Sequence, residues 1–188
     1  PVNELHEGEE GIVILDQSPF YAESGGQVGD GGFLITSAMK FHVLNTQQHG
    51  KAILHIGRMI SGTMHAQMTV EAQVDEQRED IMRNHSATHL LHAALRNQLG
   101  EHVFQKGSLV EADRLRFDFS HPTALTAGEW QHVEDQVNAM IRANHVVEQA
   151  VMSMDEAQSA GAMALFGEKY DDDVRVITMG EGSKELCG

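Results

Sequence analysis

Short apolar runs separated by polar turns predict β-strands in the first part of the chain. Residues 12–15 and 33–35 are apolar runs on either side of a glycine-rich loop. Two later apolar runs flank the polar turn 47–50, which predicts a hairpin. In residues 68–74 apolar and polar side chains alternate with period two, as in a strand with one buried face. Several short strands joined by glycine-bearing turns favour a small β-barrel.

The pattern then changes to helices mixed with strands. Residues 76–99 contain neither proline nor glycine and are followed by a glycine, which predicts one helix. Thr126 with Glu129, and Ser153 with Glu156, match the capping box and predict the starts of a second helix and a short third one. The apolar runs that predict strands in this part are 103–110, 115–119, 146–152 and 174–177.

The change of pattern near Asp75 divides the chain into two predicted domains. Residues 1–75 are expected to form a β-barrel-like subdomain that carries the glycine-rich loop. Residues 76–188 are expected to form a second subdomain of strands and helices. The predicted fold class is therefore α+β.

Composition and charge narrow the function classes. The chain carries 28 Asp and Glu against 13 Lys and Arg, a formal net charge of −15, which argues against a stand-alone binder of duplex nucleic acid. No stretch approaches the roughly 18 apolar residues of a membrane span, and no secretory leader is visible, so we expect a cytoplasmic protein without a membrane partner. The chain begins at Pro1 and stops after Cys187 without a closing element, and we expect it to be a piece of a longer protein.

Two histidines on the predicted helix have metal-ligand spacing. His85 and His89 are four residues apart, so both imidazoles can reach one ion. No Glu lies between them, which disfavours metallopeptidase chemistry. The chain has twelve histidines, so two of them can have this spacing by chance and bind no metal. His92 lies on the same face and is either a supporting group or without a role. The single cysteine, Cys187, adds a thiolate, and two imidazoles with one thiolate are a normal zinc set.

The second dense segment is the loop over residues 18–32, with five glycines in fifteen positions. Glycine allows backbone to approach a ligand closely. The segment lacks the Lys-Ser/Thr of a phosphate-binding P-loop, and its glycine spacing differs from the dinucleotide fingerprint. Its composition alone fits a long turn between strands.

Five blocks of sequence, in order along nearly the whole chain, resemble the editing region of alanyl-tRNA synthetases. They are SPFYAESGGQVGD (18–30), HSATHLLH (85–92), QKGS (105–108), GAMALFGEKY (161–170) and ELCG (185–188). The first two blocks are also similar to free-standing alanyl-tRNA editing proteins.

The resemblance implies a fold and an activity. The fold is a β-barrel subdomain followed by an α/β subdomain with an antiparallel sheet and helices, related to the threonyl-tRNA synthetase editing domain. The activity is hydrolysis of the ester in Ser-tRNA(Ala) and Gly-tRNA(Ala). The expected partners are the tRNA(Ala) acceptor end carrying serine or glycine and the other domains of the parent enzyme, which attaches alanine to tRNA(Ala) with ATP bound in its aminoacylation domain. The alternative is a metal-stabilised, non-catalytic tRNA-binding module.

The resemblance also assigns residues. It implies that zinc is held by His85, His89 and Cys187, with a fourth ligand that lies beyond Gly188, in the Gly-Gly-Thr-His segment of the family. It carries Gln105 and Thr88 over as catalytic residues. The residues expected to bind substrate are Ser18, Gly25, Gly26 and Gln27.

Overall fold

The computed structural model describes residues 2–163, 172–180 and 182–187. Residues 164–170 of the block GAMALFGEKY, and Gly188 of the block ELCG, lie outside the described residues. The chain divides into two compact units, Pro1–Ile81 and Met82–Gly188. The predicted domains 1–75 and 76–188 stay a prediction.

The first unit is built from antiparallel strands. Those described are β1 (Glu4–His6), β2 (Glu10–Val13), β3 (Gly32–Ile35), β4 (Lys40–His49), β5 (Ala52–Ser61), β6 (Thr63–His65) and β7 (Glu71–Val74). β1 pairs with β6, and the other strands form a sheet of order β2-β5-β4-β3-β7. The predicted hairpin is confirmed, because β4 and β5 pair across a turn in which Gly50 has φ +59°.

The predicted barrel is not confirmed. Among the described residues, the edge strands β2 and β7 are not paired with each other, so the sheet is not a closed ring. The strand predicted over residues 68–74 begins only at Glu71. The preceding Gln67 has φ +66°, a turn conformation that a strand does not contain. Met68 and Val70 nevertheless pack against the core, which explains their apolar spacing.

One face of the sheet builds the core of the first unit. The buried residues of this core are Phe20, Leu34, Met39, Phe41, Val43, Met59 and Met64. Close packing between strands requires glycine at Gly57, where a Cβ would meet the carbonyl oxygen of His42 at 1.9 Å. Phe20 is one of these buried residues, so the core holds the loop that joins β2 to β3 at that point.

The second unit combines helices with two antiparallel sheets. Its described elements are α1 (Gln77–Leu99, which begins in the first unit), β8 (Gln105–Val110), β9 (Leu115–Phe119), α2 (Ala127–Ala143), β10 (Val147–Ser153), α3 (Met154–Ser159), β11 (Asp173–Met179) and β12 (Ser183–Leu186). β8 pairs with β9, and the second sheet has the order β10-β11-β12. None of the described helices has the length and apolar character that a membrane crossing needs.

The predicted helices are confirmed. α1 covers the glycine- and proline-free segment as one helix. Thr126 and Ser153 are the N-caps of α2 and α3, and both capping boxes are formed with Glu129 and Glu156. The mixed class of antiparallel sheets and helices is therefore present among the described residues.

Strand β12 places the residues just before Cys187 in the second sheet. Ser183, Glu185 and Leu186 are buried, because β12 pairs with β11 and packs Leu186 into a small core. The backbone N–H of Cys187 continues this pairing by donating to the carbonyl oxygen of Arg175, at 3.0 Å. The pairing fixes the thiol of Cys187 at the end of a strand.

Candidate metal centre

Three side chains converge between α1 and the end of β12. His85 and His89 lie one turn apart on α1, and their rings stack with centroids 5.2 Å apart. The Sγ atom of Cys187 lies 3.5 Å from Nε2 of His85. One ligand atom from each of the three residues lies within 4.8 Å of the others. The convergence predicted from the i, i+4 spacing and the solitary thiol is therefore confirmed.

A buried carboxylate holds the second imidazole. Nδ1 of His89 lies 2.5 Å from Oε2 of Glu185, and Nδ1 of His92 lies 3.1 Å from Oε1 of the same residue. The sequence alone did not predict a role for Glu185. Its signal was its place two residues before Cys187 in an extended segment, where alternate side chains share a face. His92, expected either to support the site or to have no role, contacts the same carboxylate.

The outer nitrogens of both imidazoles lack hydrogen bonds. Within the described part of the chain, Nε2 of His89 and Nε2 of His92 are buried and have no hydrogen-bond partner. A buried polar atom without a partner is costly, and such an atom in a native structure needs an explanation. For His89, the ring lies beside the thiol of Cys187, as expected for two groups that bind the same metal ion.

The electrostatics of the cluster favour a thiolate. Burial raises the pKa of Cys187, but the neighbouring imidazoles of His85 and His89 outweigh burial and lower the pKa to about 6. Burial lowers the pKa of His89, but Cys187 and Glu185 outweigh it and raise the pKa to about 9. Burial likewise opposes the ionised form of Glu185, and its two histidine partners keep its pKa below the ordinary value.

The donor set fits a zinc ion. Two imidazole nitrogens and a thiolate are soft to borderline ligands, which zinc prefers to carboxylate oxygens. A histidine that binds a metal usually donates its other N–H to a carboxylate, and His89 has this arrangement with Glu185. The cluster is therefore compatible with zinc.

The two residues predicted to be catalytic lie in the same unit. Thr88 precedes His89 and is buried, and its hydroxyl donates to the carbonyl oxygen of Asn84 at 2.8 Å. The hydroxyl hydrogen is therefore used, and only oxygen lone pairs remain for a ligand. Gln105 begins β8, opposite Phe119, and is half-buried. The catalytic roles of Thr88 and Gln105 stay predictions.

The predicted substrate-binding residues lie in the first unit. The hydroxyl of Ser18 lies 2.7 Å from Nε2 of His55 and accepts a bond from the backbone N–H of Phe20. His55 is fully buried, which lowers its pKa, and its Nδ1 lies 2.9 Å from the carbonyl oxygen of Val13. A neutral His55 therefore donates to Val13 and accepts the hydrogen of Ser18. No role for His55 was predicted from the sequence.

The rest of the loop is a tight turn. Gly25 and Gly26 have φ of +57° and +83°, and backbone bonds between Ser24 and Gln27 close the turn. Two consecutive positive φ angles are typical of a two-residue hairpin turn and favour glycine. The turn therefore explains why both positions are glycine, independently of the predicted contact with substrate. The substrate-binding roles of Ser18, Gly25, Gly26 and Gln27 stay predictions.

A second buried carboxylate fixes the loop. Asp30 accepts a hydrogen bond from the backbone N–H of Tyr21 at 2.6 Å and forms a close ion pair with Arg78. The hydroxyl of Thr46 donates to the carbonyl oxygen of Asp30 at 2.8 Å. At Gly29 a Cβ would meet the carbonyl oxygen of Thr46 at 2.1 Å. The end of the loop is therefore held against β4 at Thr46.

Comparison with known proteins finds sequences similar to this chain. A family model described as tRNA synthetases class II (A) matches residues 1–78. The alanine–tRNA ligases of Idiomarina loihiensis and Coxiella burnetii (strain Dugway 5J108-111) are each 57% identical to the chain, and that of Legionella pneumophila (strain Corby) is 55% identical. Each match covers 100% of the chain and 22% of the relative. The chain thus spans about a fifth of the length of these relatives.

Proposed function

The chain corresponds over its whole length to a segment of alanine–tRNA ligases, and we propose that it is the part that corrects charging errors. In this proposal the parent enzyme attaches alanine to tRNA(Ala) with ATP, and this segment hydrolyses the ester of Ser-tRNA(Ala) and Gly-tRNA(Ala). The observation that carries the proposal is the convergence of His85, His89 and Cys187. A hydrolytic site of this kind is useful because a pocket for alanine rejects similar amino acids only about 10–200-fold.

Zinc is the proposed metal of the cluster. His85, His89 and Cys187 would hold it, and the resemblance implies a fourth ligand after Cys187. The buried Nε2 of His89 and the lowered pKa of the Cys187 thiol support this assignment. Metal binding would release the proton that the His89 imidazole holds below its pKa of about 9, whereas the thiol is already ionised above about pH 6. When bound, zinc would supply a Lewis acid that polarises or orients the aminoacyl group.

The surrounding side chains have proposed roles in hydrolysis. The water oxygen bonds to the ester carbonyl carbon, and the bond from that carbon to the ribose oxygen breaks. The ribose oxygen takes the proton that the water gives up. Gln105 would orient the water or the ester, because an amide both donates and accepts hydrogen bonds. Thr88 has lone pairs to accept from the serine hydroxyl, since its own hydrogen is given to Asn84.

The acidic charge of the chain bears on its partner. With a net charge of −15, the chain has few cations to grip a phosphate backbone, so the other domains of the parent would supply most of the affinity for tRNA(Ala). The burial of His89 and Glu185 also suits a closed metal site in a non-catalytic tRNA-binding module. A measurement of Ser-tRNA(Ala) hydrolysis distinguishes the editing function from the non-catalytic binding module.

The test compares two histidine substitutions in the Ser-tRNA(Ala) hydrolysis assay. His89→Asn removes the Nε2 ligand but keeps an N–H near Glu185, and we expect at least a roughly 100-fold loss of rate. His132→Asn is the matched control, because this histidine is exposed on α2 and outside the cluster. Equal rates for wild type and a folded His89→Asn would refute the catalytic role of the cluster. Zinc binding by wild type without any hydrolysis would favour the binding module.

A further inference from the structure

We propose that Glu185 is a positioning residue of the metal centre: its carboxylate accepts a hydrogen bond from Nδ1 of both His89 and His92, which leaves Nε2 of His89 as the ligand atom. The proposal rests on the proposed metal function of the cluster. Glu185 touches neither substrate nor metal in it and acts only through the imidazoles.

The geometry uses both oxygens of one buried carboxylate. Oε2 lies 2.5 Å from His89 and Oε1 lies 3.1 Å from His92. The exposed fraction of the residue surface is only 1% for Glu185, 6% for His89 and 3% for His92. A buried carboxylate is tolerated when donors satisfy its oxygens, and here each oxygen has one imidazole donor. The second bond, to His92, prevents the carboxylate from rotating away from His89.

The hydrogen bonds decide which nitrogen of each ring is bare. A carboxylate only accepts, so both rings must carry hydrogen on Nδ1. When neutral, each ring then has its lone pair on Nε2, which matches the two buried Nε2 atoms without partners. Only His89 shares the cluster with His85 and Cys187. One carboxylate therefore gives two rings the same tautomer and prepares one of them for a metal.

The substitution Glu185→Gln tests this role with little change of shape. An amide has one oxygen acceptor and loses the negative charge, so it cannot accept from both rings at once. Loss of an outer partner of a ligating histidine typically weakens metal binding by about 10–100-fold, and we expect a change of that size. Ser183→Ala is the matched control, since Ser183 is buried on the same strand and has no bond to either histidine.

Zinc affinity is measured by chelator competition on wild type, Glu185→Gln and Ser183→Ala, after thermal unfolding of the metal-free proteins has shown that each folds. We expect weaker binding for Glu185→Gln alone. Zinc binding of folded Glu185→Gln within threefold of wild type would overturn the positioning role only. Failure of wild type to bind zinc would instead overturn the metal function itself, and the positioning role with it.

A second measurement needs no variant, and it decides the matter if Glu185→Gln does not fold. Long-range ¹H–¹⁵N correlation spectra of zinc-loaded wild type report which nitrogen of each ring carries hydrogen. We expect hydrogen on Nδ1 of both His89 and His92. Hydrogen on Nε2 of His92 with none on Nδ1 would overturn the proposal, because that ring could not then donate to Glu185.

Discussion

The thiol of Cys187 in the metal-free chain lies beside two imidazoles, and its titration should reveal them. Its pKa falls from the ordinary 9.0 to about 6, because His85 and His89 outweigh the cost of burial. Raising the pH through about 6 should therefore convert the thiol to the thiolate, the form that reacts with alkylating agents. The perturbation is a pH series on the metal-free protein, followed by the substitution His85→Asn.

The size of the effect shows which quantity to measure. At pH 7 a thiol of pKa about 6 is about 90% ionised, against about 1% for an ordinary thiol. A thiolate of lower pKa is also less nucleophilic, by about 30-fold over three units at a Brønsted coefficient near 0.5. The two effects nearly cancel and leave about a threefold faster reaction. The midpoint of the pH profile is therefore informative, and the rate at one pH is not.

The assay follows iodoacetamide labelling of the protein by mass spectrometry from about pH 5 to about pH 10. Cys187 is the single cysteine, so each labelled molecule reports on it alone. We expect a midpoint near pH 6, a higher midpoint for His85→Asn, and protection of the thiol by added zinc. The chain unfolded in urea is the control and should titrate like an ordinary thiol. A folded protein with the same midpoint as the unfolded control would refute the electrostatic account of the cluster.

Three further predictions concern stability, measured as the free energy of unfolding in urea. Asp30→Ala should lower the free energy of unfolding by about 3 kcal/mol, because it removes the buried partner of Arg78. The exposed control Asp16→Ala should change this free energy by less than about 0.5 kcal/mol. Leu95→Ala should cost about 2–5 kcal/mol, as a cavity in the core of the second unit, and a value below about 1 kcal/mol would contradict that packing. Gly128→Ala should stabilise α2 by about 0.5 kcal/mol, since a Cβ there meets no atom within 4 Å, and destabilisation would contradict the open space.

Local sequence rules predicted the elements that local interactions stabilise. The capping boxes at Thr126 and Ser153 each involve residues three apart, so the sequence contains the whole motif. Helix α1 is similarly visible as a long segment without breakers. The short strand β1 (Glu4–His6) was missed, because three mixed residues carry no periodic pattern and the strand exists only by pairing with β6.

The same distinction applies to the candidate site. The spacing of His85 and His89 predicted that their rings converge, because one helical turn separates them. The spacing of Glu185 and Cys187 is a local signal that both lie on one face of an extended segment, but the contact of Glu185 with His89 joins residues 96 positions apart, which no local pattern reports. The closure of a barrel from the strands of the first unit depends on pairing of the same kind, and the sheet order did not confirm it.

Hydrolysis of Ser-tRNA(Ala) and of Ala-tRNA(Ala) by the zinc-loaded protein, measured side by side, tests the central claim most directly. The wild-type protein should release serine well above the spontaneous rate and leave the alanyl ester at its spontaneous rate, and His89→Asn should lose the release of serine. Serine release at the spontaneous rate, or equal release of serine and alanine, would contradict an editing function for this chain.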